Sequence, residues 1–319
     1  MKEFITNKIL MVRPIAFGYN EETGKDNLYQ IKENNSADAI EKSAEKEFDA
    51  FVEKLRGATI DVIVLQDTLT PHTPDSIFPN NWFSTHSNNT LILYPMYAEN
   101  RRLERTDKIL EFVKDRENLK IVDLTENEKR DRFLEGTGSI CLDRKNKIAY
   151  ANISKRTNKE LFNEFCETMG YRGVTFSGFQ TINGQKAPIY HTNVMLTIAE
   201  NFAIVFLNAV EDEKERTNLK DSIINSGKEL IEISEEQTKH FLGNTIELKK
   251  VNGDKILVMS KTAYEALTEE QKNIIEKYDE ILYADIHTIE TNGGGSARCM
   301  IAEWFLSLIH ISEPTRRTQ

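Results

Sequence analysis

Cysteine is scarce in this chain: three among 319 residues, at Cys141, Cys166 and Cys299. An odd number of widely separated thiols is not a disulfide framework, and no His/Cys cluster has the spacing of a zinc site. Positive charge is short as well, 41 Lys and Arg against 51 Asp and Glu, for a net charge of −10. That balance lacks the basic footprint of a general nucleic-acid binder, while cationic small molecules remain compatible with it. No apolar run approaches the roughly 20 residues that cross a bilayer, and the first ten residues lack the apolar core of a secretion signal. The expectation is a cytoplasmic protein with no nucleic-acid or membrane partner, no metal and no cofactor. Hydrophobic residues at 39% and charged residues at 29% are ordinary for a globular protein with a large core.

The most distinctive stretch runs from Thr291 to Met300. Gly293, Gly294 and Gly295 free the backbone for positive φ and for close approach of another group. Arg298 and Cys299 follow, and then the apolar run Met300-Ile301-Ala302, which could begin a helix. The sulfur would then lie near a helix N-terminus and beside a guanidinium, both of which favour the nucleophilic thiolate. The bland alternative is a glycine turn holding an inert buried cysteine. No Lys-Ser/Thr follows the glycines, so this is not a P-loop. Gly136 and Gly138 open a G-x-G-x-x-G pattern that Cys141 breaks, which weakens dinucleotide binding.

Length alone suggests about two domains, but the patterning points to one. Helical spacing over Ser36 to Arg56 leads to a β-branched strand over Thr59 to Leu65. Then come paired strands (Trp82 to His86, Thr90 to Pro95), a charged helix (Glu99 to Arg116) and a strand (Leu119 to Leu124). The order recurs with a hairpin over Ser139 to Asn152, a helix over Thr157 to Met169 and a strand over Gly173 to Phe176. It recurs again with a hairpin over Asn193 to Asn208, a helix over Glu211 to Ser226 and a strand over Glu229 to Ile233. The last copy pairs Thr245 to Val251 with Lys255 to Ser260 across Asn252-Gly253, followed by a helix over Thr268 to Tyr278 and a strand over Ile281 to Ile286. Hairpin, helix, strand thus appears four times at a spacing of roughly 50 residues, after a partial first copy. A single α/β domain over residues 1–305, built of about five ββαβ modules around a pseudo-axis, is expected. A doubly wound sheet fits less well because its units lack hairpins.

Polar residues gather where these modules begin. Asp75 and Asn81 precede the second hairpin, Glu135 the third, and His191 the fourth. Modules related by pseudo-rotation would bring these points to one end of the axis, where Cys299 can also arrive. A carboxylate, an imidazole and a thiol at one mouth make a nucleophilic site. Taken singly, Glu135 reads as a loop acid and His191 as a strand-edge histidine, and His72, His86 or His287 could equally supply an imidazole. Cys141 and Cys166 fall within a strand and a helix and read as structural.

Phe133-Leu134-Glu135-Gly136, Tyr190-His191-Thr192-Asn193 and Gly293-Gly294-Gly295-Ser296-Ala297-Arg298-Cys299-Met300 occur in the order seen in the guanidine-modifying (pentein) superfamily. The chain resembles its amidinotransferase-like hydrolases of citrulline utilisation, relatives of arginine deiminases and dimethylarginine dimethylaminohydrolases. Met11-Val12-Arg13-Pro14, with Asn20, Thr23, Asn27 and Gln30, and Phe78-Pro79-Asn80-Asn81-Trp82 resemble that branch too. The resemblance covers most of residues 11 to 305 and implies a five-bladed α/β propeller. It also implies Cys299 as nucleophile, His191 as general acid and base, Glu135 as the carboxylate orienting His191, and Asp75 as a substrate-binding acid. Asn81, Asn193 and Arg298 are the remaining candidate substrate contacts. Asn193 and the Asn80-Asn81 pair stand where many relatives carry charge, so a neutral ureido group fits as well as a guanidinium. The expected activity is hydrolysis of non-peptide C–N bonds in linear amidines or ureido compounds, with arginine, a methylarginine or a citrulline-like amino acid as substrate. Amidino transfer to an amine and a catalytically silent binding protein of the same fold are the alternatives. A homodimer is the possible assembly.

Residues 306–319 form a segment apart. Leu306 to Arg316 resembles the translation of a transposon-type sequencing-library adapter, so foreign sequence is expected after about Phe305; a natural polar tail is the alternative.

Overall fold

The computed structural model describes residues 4–113, 116, 118–182 and 184–306. The adapter-like segment, apart from Leu306, lies outside those residues. Local rules account for the first long helix, Ala37–Gly57. Ser36 caps it by accepting from Ala39 N–H. Ile40, Ala44, Phe48, Phe51, Val52 and Leu55 recur at helical spacing and are its buried stripe. The helix Lys159–Met169 is built alike: Asn158 caps it, Gly170 ends it in the left-handed conformation, and Leu161, Phe162 and Phe165 face inward.

Strands follow one scheme five times. Within each three-stranded sheet an antiparallel pair is joined by a parallel third strand. Phe83–His86 and Thr90–Leu93 take Lys120–Asp123. Cys141–Asp143 and Ile148–Asn152 take Arg172–Phe176. Leu196–Ile198 and Phe202–Val205 take Glu229–Glu232. Ile246–Lys249 and Lys255–Ser260 take Glu280–Ala284. The partial first copy is completed from the far end of the chain. Ala302–Glu303 lies antiparallel to Lys8–Arg13, in register Leu10 to Ala302, and Lys8–Arg13 runs parallel to Asp61–Gln66. Five mixed sheets therefore surround one axis, as the module count requires: the inner strand Phe83–His86 touches Ala302–Glu303, and Leu196–Ile198 touches both Cys141–Asp143 and Ile246–Lys249. This is the five-bladed α/β propeller.

Two expectations are corrected. The single charged helix over Glu99 to Arg116 is two short ones, Glu99–Arg102 and Asp107–Val113. Arg101 turns inward, and its Nε donates to the buried Glu104 at 2.8 Å; Arg105 donates to Glu128. These charges are interior ties. The second concerns Phe179–Ile182 and Gln185–Pro188, an extra two-stranded hairpin outside the five sheets that the alternation did not indicate. Among the described residues no helix is long and apolar enough to cross a membrane.

Candidate active site

Each inner strand is preceded by a lead-in segment at the same end of the axis, and these five segments carry the site. The segment before Ala302–Glu303 holds Cys299. The helix His287–Gly293 comes before it, its N-terminal amides held by Glu47, which accepts from Thr288 N–H (2.9 Å) and Ile289 N–H (3.1 Å). Gly294, at φ +61°, ends that helix in the left-handed conformation that glycine adopts without strain. A side chain there would also collide with Asn27 Nδ2, 2.6 Å from where a Cβ would sit. The glycines thus close a helix. Met300-Ile301-Ala302 starts no helix but runs into the last strand, so the expected helix N-terminus beside the sulfur is replaced by a tight turn, with Cys299 N–H donating to Ser296 O at 2.9 Å.

Amide groups surround the sulfur. Asn193 Nδ2 lies 3.4 Å from Cys299 Sγ and Asn244 Nδ2 lies 3.2 Å from it. Asn193 is two residues past His191 in the fourth lead-in segment. The ring of His191 is held by Glu135 from the third, with Nε2 to Oε2 at 2.7 Å. Both side chains are fully buried. Tyr97 N–H donates to Glu135 Oε1 at 2.8 Å, and Arg156 Nη1 stands 3.6 Å from Oε2. Burial pushes the Glu135 carboxyl up, but Arg156 and the bond from His191 outweigh it and hold it down at about 2. Burial likewise lowers His191, against the raising effect of Glu135. The pair is therefore an ionised carboxylate accepting from a neutral imidazole. Its proton sits on Nε2, which leaves Nδ1 as the free acceptor.

The second lead-in segment brings Asp75 and Asn81. Asp75 Oδ2 accepts from Asn20 Nδ2 (2.8 Å) and Thr23 Oγ1 (3.0 Å), and Arg101 Nε is 3.8 Å away. Oδ1 is buried with no hydrogen-bond partner. Arg101 Nη1 donates to Asn81 Oδ1 at 2.6 Å, which leaves the Nδ2 end facing Gly138 beside the His191 ring. Phe78, between the two, packs against Gly293 and Gly295 of the cysteine turn. The segment Asn20 to Gln30 roofs the site: Asn27 donates to Gly294 O and Gln30 to Gly293 O, with Tyr190 Oη also donating to Gly294 O. Arg156 fastens this roof through a two-pronged pair with Asp26.

Residues 13–306 match the family described as N,N dimethylarginine dimethylhydrolase, eukaryotic. The chain belongs to that family. Membership in the dimethylarginine dimethylhydrolase family implies a C–N bond hydrolase that works through a cysteine on methylarginine-type guanidino compounds. Solved structures give the same fold. ArgZ, an arginine dihydrolase from the ornithine-ammonia cycle in cyanobacteria, superposes with a TM-score of 0.68 at 15% identity, over 92% of this chain and 40% of that one. Its N-terminal domain, as a cysteine-to-serine mutant bound to substrate, gives 0.68 at 16% identity over 94% and 99%. DDAH from Pseudomonas aeruginosa, complexed with citrulline, gives 0.66 at 17% over 95% and 100%. This chain thus spans about 40% of full-length ArgZ and nearly all of its N-terminal domain. No curated protein matches the chain.

Of the residues singled out from the sequence, the fold gathers Cys299, His191, Glu135, Asp75, Asn81 and Asn193. Arg298 is not brought to them. Its guanidinium donates to Ile301 O (2.9 Å) and Glu303 Oε2 (3.2 Å), beside a small axial cavity of about 60 Å³ that Cys141 and Arg144 also line. The other candidate histidines are elsewhere: His86 is locked between Ser84 and Arg144, while His72 and His287 are exposed. Cys141 and Cys166 are free, buried thiols pushed up to about 12 by burial. Sequence reasoning missed Arg101, Arg156 and Asn244. For Asn244 a signal existed, because it stands just before the fifth hairpin, where the module logic leaves a place to fill.

Proposed function

We propose that the protein hydrolyses a C–N bond in the ureido or guanidino end of a small amino acid, through a covalent bond to Cys299. The convergence of the Glu135–His191 pair with the amide-ringed thiol supports this reading. The thiol proton passes to His191 Nδ1, and the resulting imidazolium is stabilised by the ionised Glu135. Sγ attacks the central carbon, a C–S bond forms, and the electron pair of the C=O or C=N bond moves to the heteroatom. Collapse of that adduct breaks the C–N bond, and His191 gives its proton to the departing amine. Water then attacks with His191 taking a proton, and the C–S bond breaks to return the sulfur to Cys299.

Charge at the reacting end distinguishes the substrates. Asn193 and Asn244 present N–H groups at the sulfur, and Asn81, whose oxygen Arg101 occupies, gives one N–H to Asn80 Oδ1 at 3.1 Å and has one more to offer. Donors suit a ureido oxygen, an acceptor that a guanidinium lacks. The unpartnered Asp75 Oδ1 favours the second reading, a guanidinium or ammonium on that acid. Steady-state kcat/KM for citrulline and arginine, in wild type and in Asp75→Asn, decides between them. A guanidinium left without its buried partner costs about 3–5 kcal/mol. A neutral group that loses one acceptor costs about 1–3 kcal/mol. The ureido reading predicts citrulline turnover with the smaller loss; arginine turnover alone, with the larger loss, contradicts it.

A further inference from the structure

The fifth lead-in segment is the one to which neither sequence nor resemblance assigns a role, and it ends at the sulfur. Asn244 precedes the strand Ile246–Lys249 and is buried. Its side chain makes three contacts that together fix its orientation. Oδ1 accepts from Cys299 N–H at 3.4 Å, so the other end must be the amino group. One N–H of Nδ2 goes to Asn193 O at 3.0 Å, and Nδ2 lies 3.2 Å from Cys299 Sγ. Its own carbonyl accepts from Arg298 N–H at 3.4 Å. One amide therefore grips the backbone and the sulfur of the nucleophile and ties that turn to the loop carrying His191.

From this geometry we infer that Asn244 is a catalytic residue, the donor that steadies the charge on the Cys299 sulfur once His191 has taken its proton and that fixes the sulfur's aim. The inference rests on the reading of Cys299 as nucleophile. A buried sulfur anion needs donors, since an unpaired charge in a dry site is costly. Among the described residues no helix begins at the cysteine turn, and the neighbouring Arg298 is engaged with Glu303. The N–H groups at the sulfur come from Asn244 and Asn193, and of the two it is Asn244 that also takes a share of the Cys299 N–H, beside Ser296 O.

Alkylation of Cys299 by iodoacetamide, followed by peptide mass spectrometry across pH, reads the thiolate without any need for turnover. Asn244→Ala and Asn244→Asp are the variants. The second keeps the shape and the oxygen that accepts from Cys299 N–H, so it holds the turn if alanine loosens it. The expected result in both is alkylation at neutral pH slowed about 10- to 100-fold, the worth of one hydrogen bond to a charged group. The rate profile moves to higher pH, and kcat falls with little change in KM. A folded Asn244→Asp protein that alkylates at Cys299 with the wild-type pH profile overturns the inference. Failure of the underlying reading looks different: a Cys299→Ser protein then still turns over, whatever the alkylation profile shows.

Discussion

A buried carboxylate survives as an anion only when its surroundings supply donors and countercharge. Glu135 has the Tyr97 amide, the Arg156 guanidinium and the His191 ring. The price of burial falls instead on His191, whose imidazole is held neutral below the usual 6.5 of a histidine. The sign follows from linkage. Below pH 6.5 the unfolded chain takes up a proton that the folded protein refuses, so this group's contribution to stability is present above that pH and is lost as pH falls. The same neutrality keeps the base competent in mild acid. The acid limb of kcat/KM is therefore expected to lie below pH 6.5, and a pH–rate profile that fails already above 7 contradicts it. Replacing His191 by Ala is expected to cost roughly 10²–10⁴ in kcat, the usual worth of a general acid–base group. If His86→Ala is the dead variant and His191→Ala is normal, the imidazole assignment falls. Residues tied to a module entry were legible, whereas Arg101 and Arg156, which support the site from behind, carry no such mark, and Asn244 was marked only by its place before the fifth hairpin.

At the scale of elements, the lead-in segments work because short, close-packed pieces leave no room for error. Gly138 lies in the single turn Gly136–Ser139, where a Cβ would sit 2.5 Å from Asn81 Nδ2 and 2.9 Å from His191 Nδ1. Arg101 and Glu135 hold those groups from behind, so neither yields freely. Gly138→Ala is expected to lose on the order of 10² in kcat through a displaced imidazole, with a folded protein by circular dichroism. Near-normal kcat would show that the ring is less tightly positioned. Elements fixed by local chemistry were legible beforehand, among them the helix capped by Ser36, the hairpin turning at Asn252-Gly253 and the helix capped by Asn158. The break after Arg102 was not, because Arg101 and Glu104 find each other only in a dry interior, while their spacing also suits an exposed helix face.

The whole molecule closes on itself. Ala302–Glu303 completes the first blade, and Trp304, also buried, packs beyond it with Trp82, Leu91 and Leu306. The module count anticipated five blades but not where the first finds its inner strand, since that pairing joins segments almost 300 residues apart and leaves no local trace. The Cys299 turn hangs between the helix at His287–Gly293 and this closing strand. Trp304→Ala is expected to cost about 3–5 kcal/mol of stability, measurable by urea unfolding, and to weaken activity only as far as the fold loosens. A loss below 1 kcal/mol would mean that closure depends little on this side chain.

Intact-protein and peptide mass spectrometry of the enzyme mixed with citrulline or arginine, alongside its Cys299→Ser variant, tests the central claim most directly. A transient adduct is expected on the peptide bearing Cys299 in the wild type, with no adduct and no product in the folded serine variant. Turnover by Cys299→Ser, or an adduct carried by Cys141 or Cys166 instead, contradicts the account.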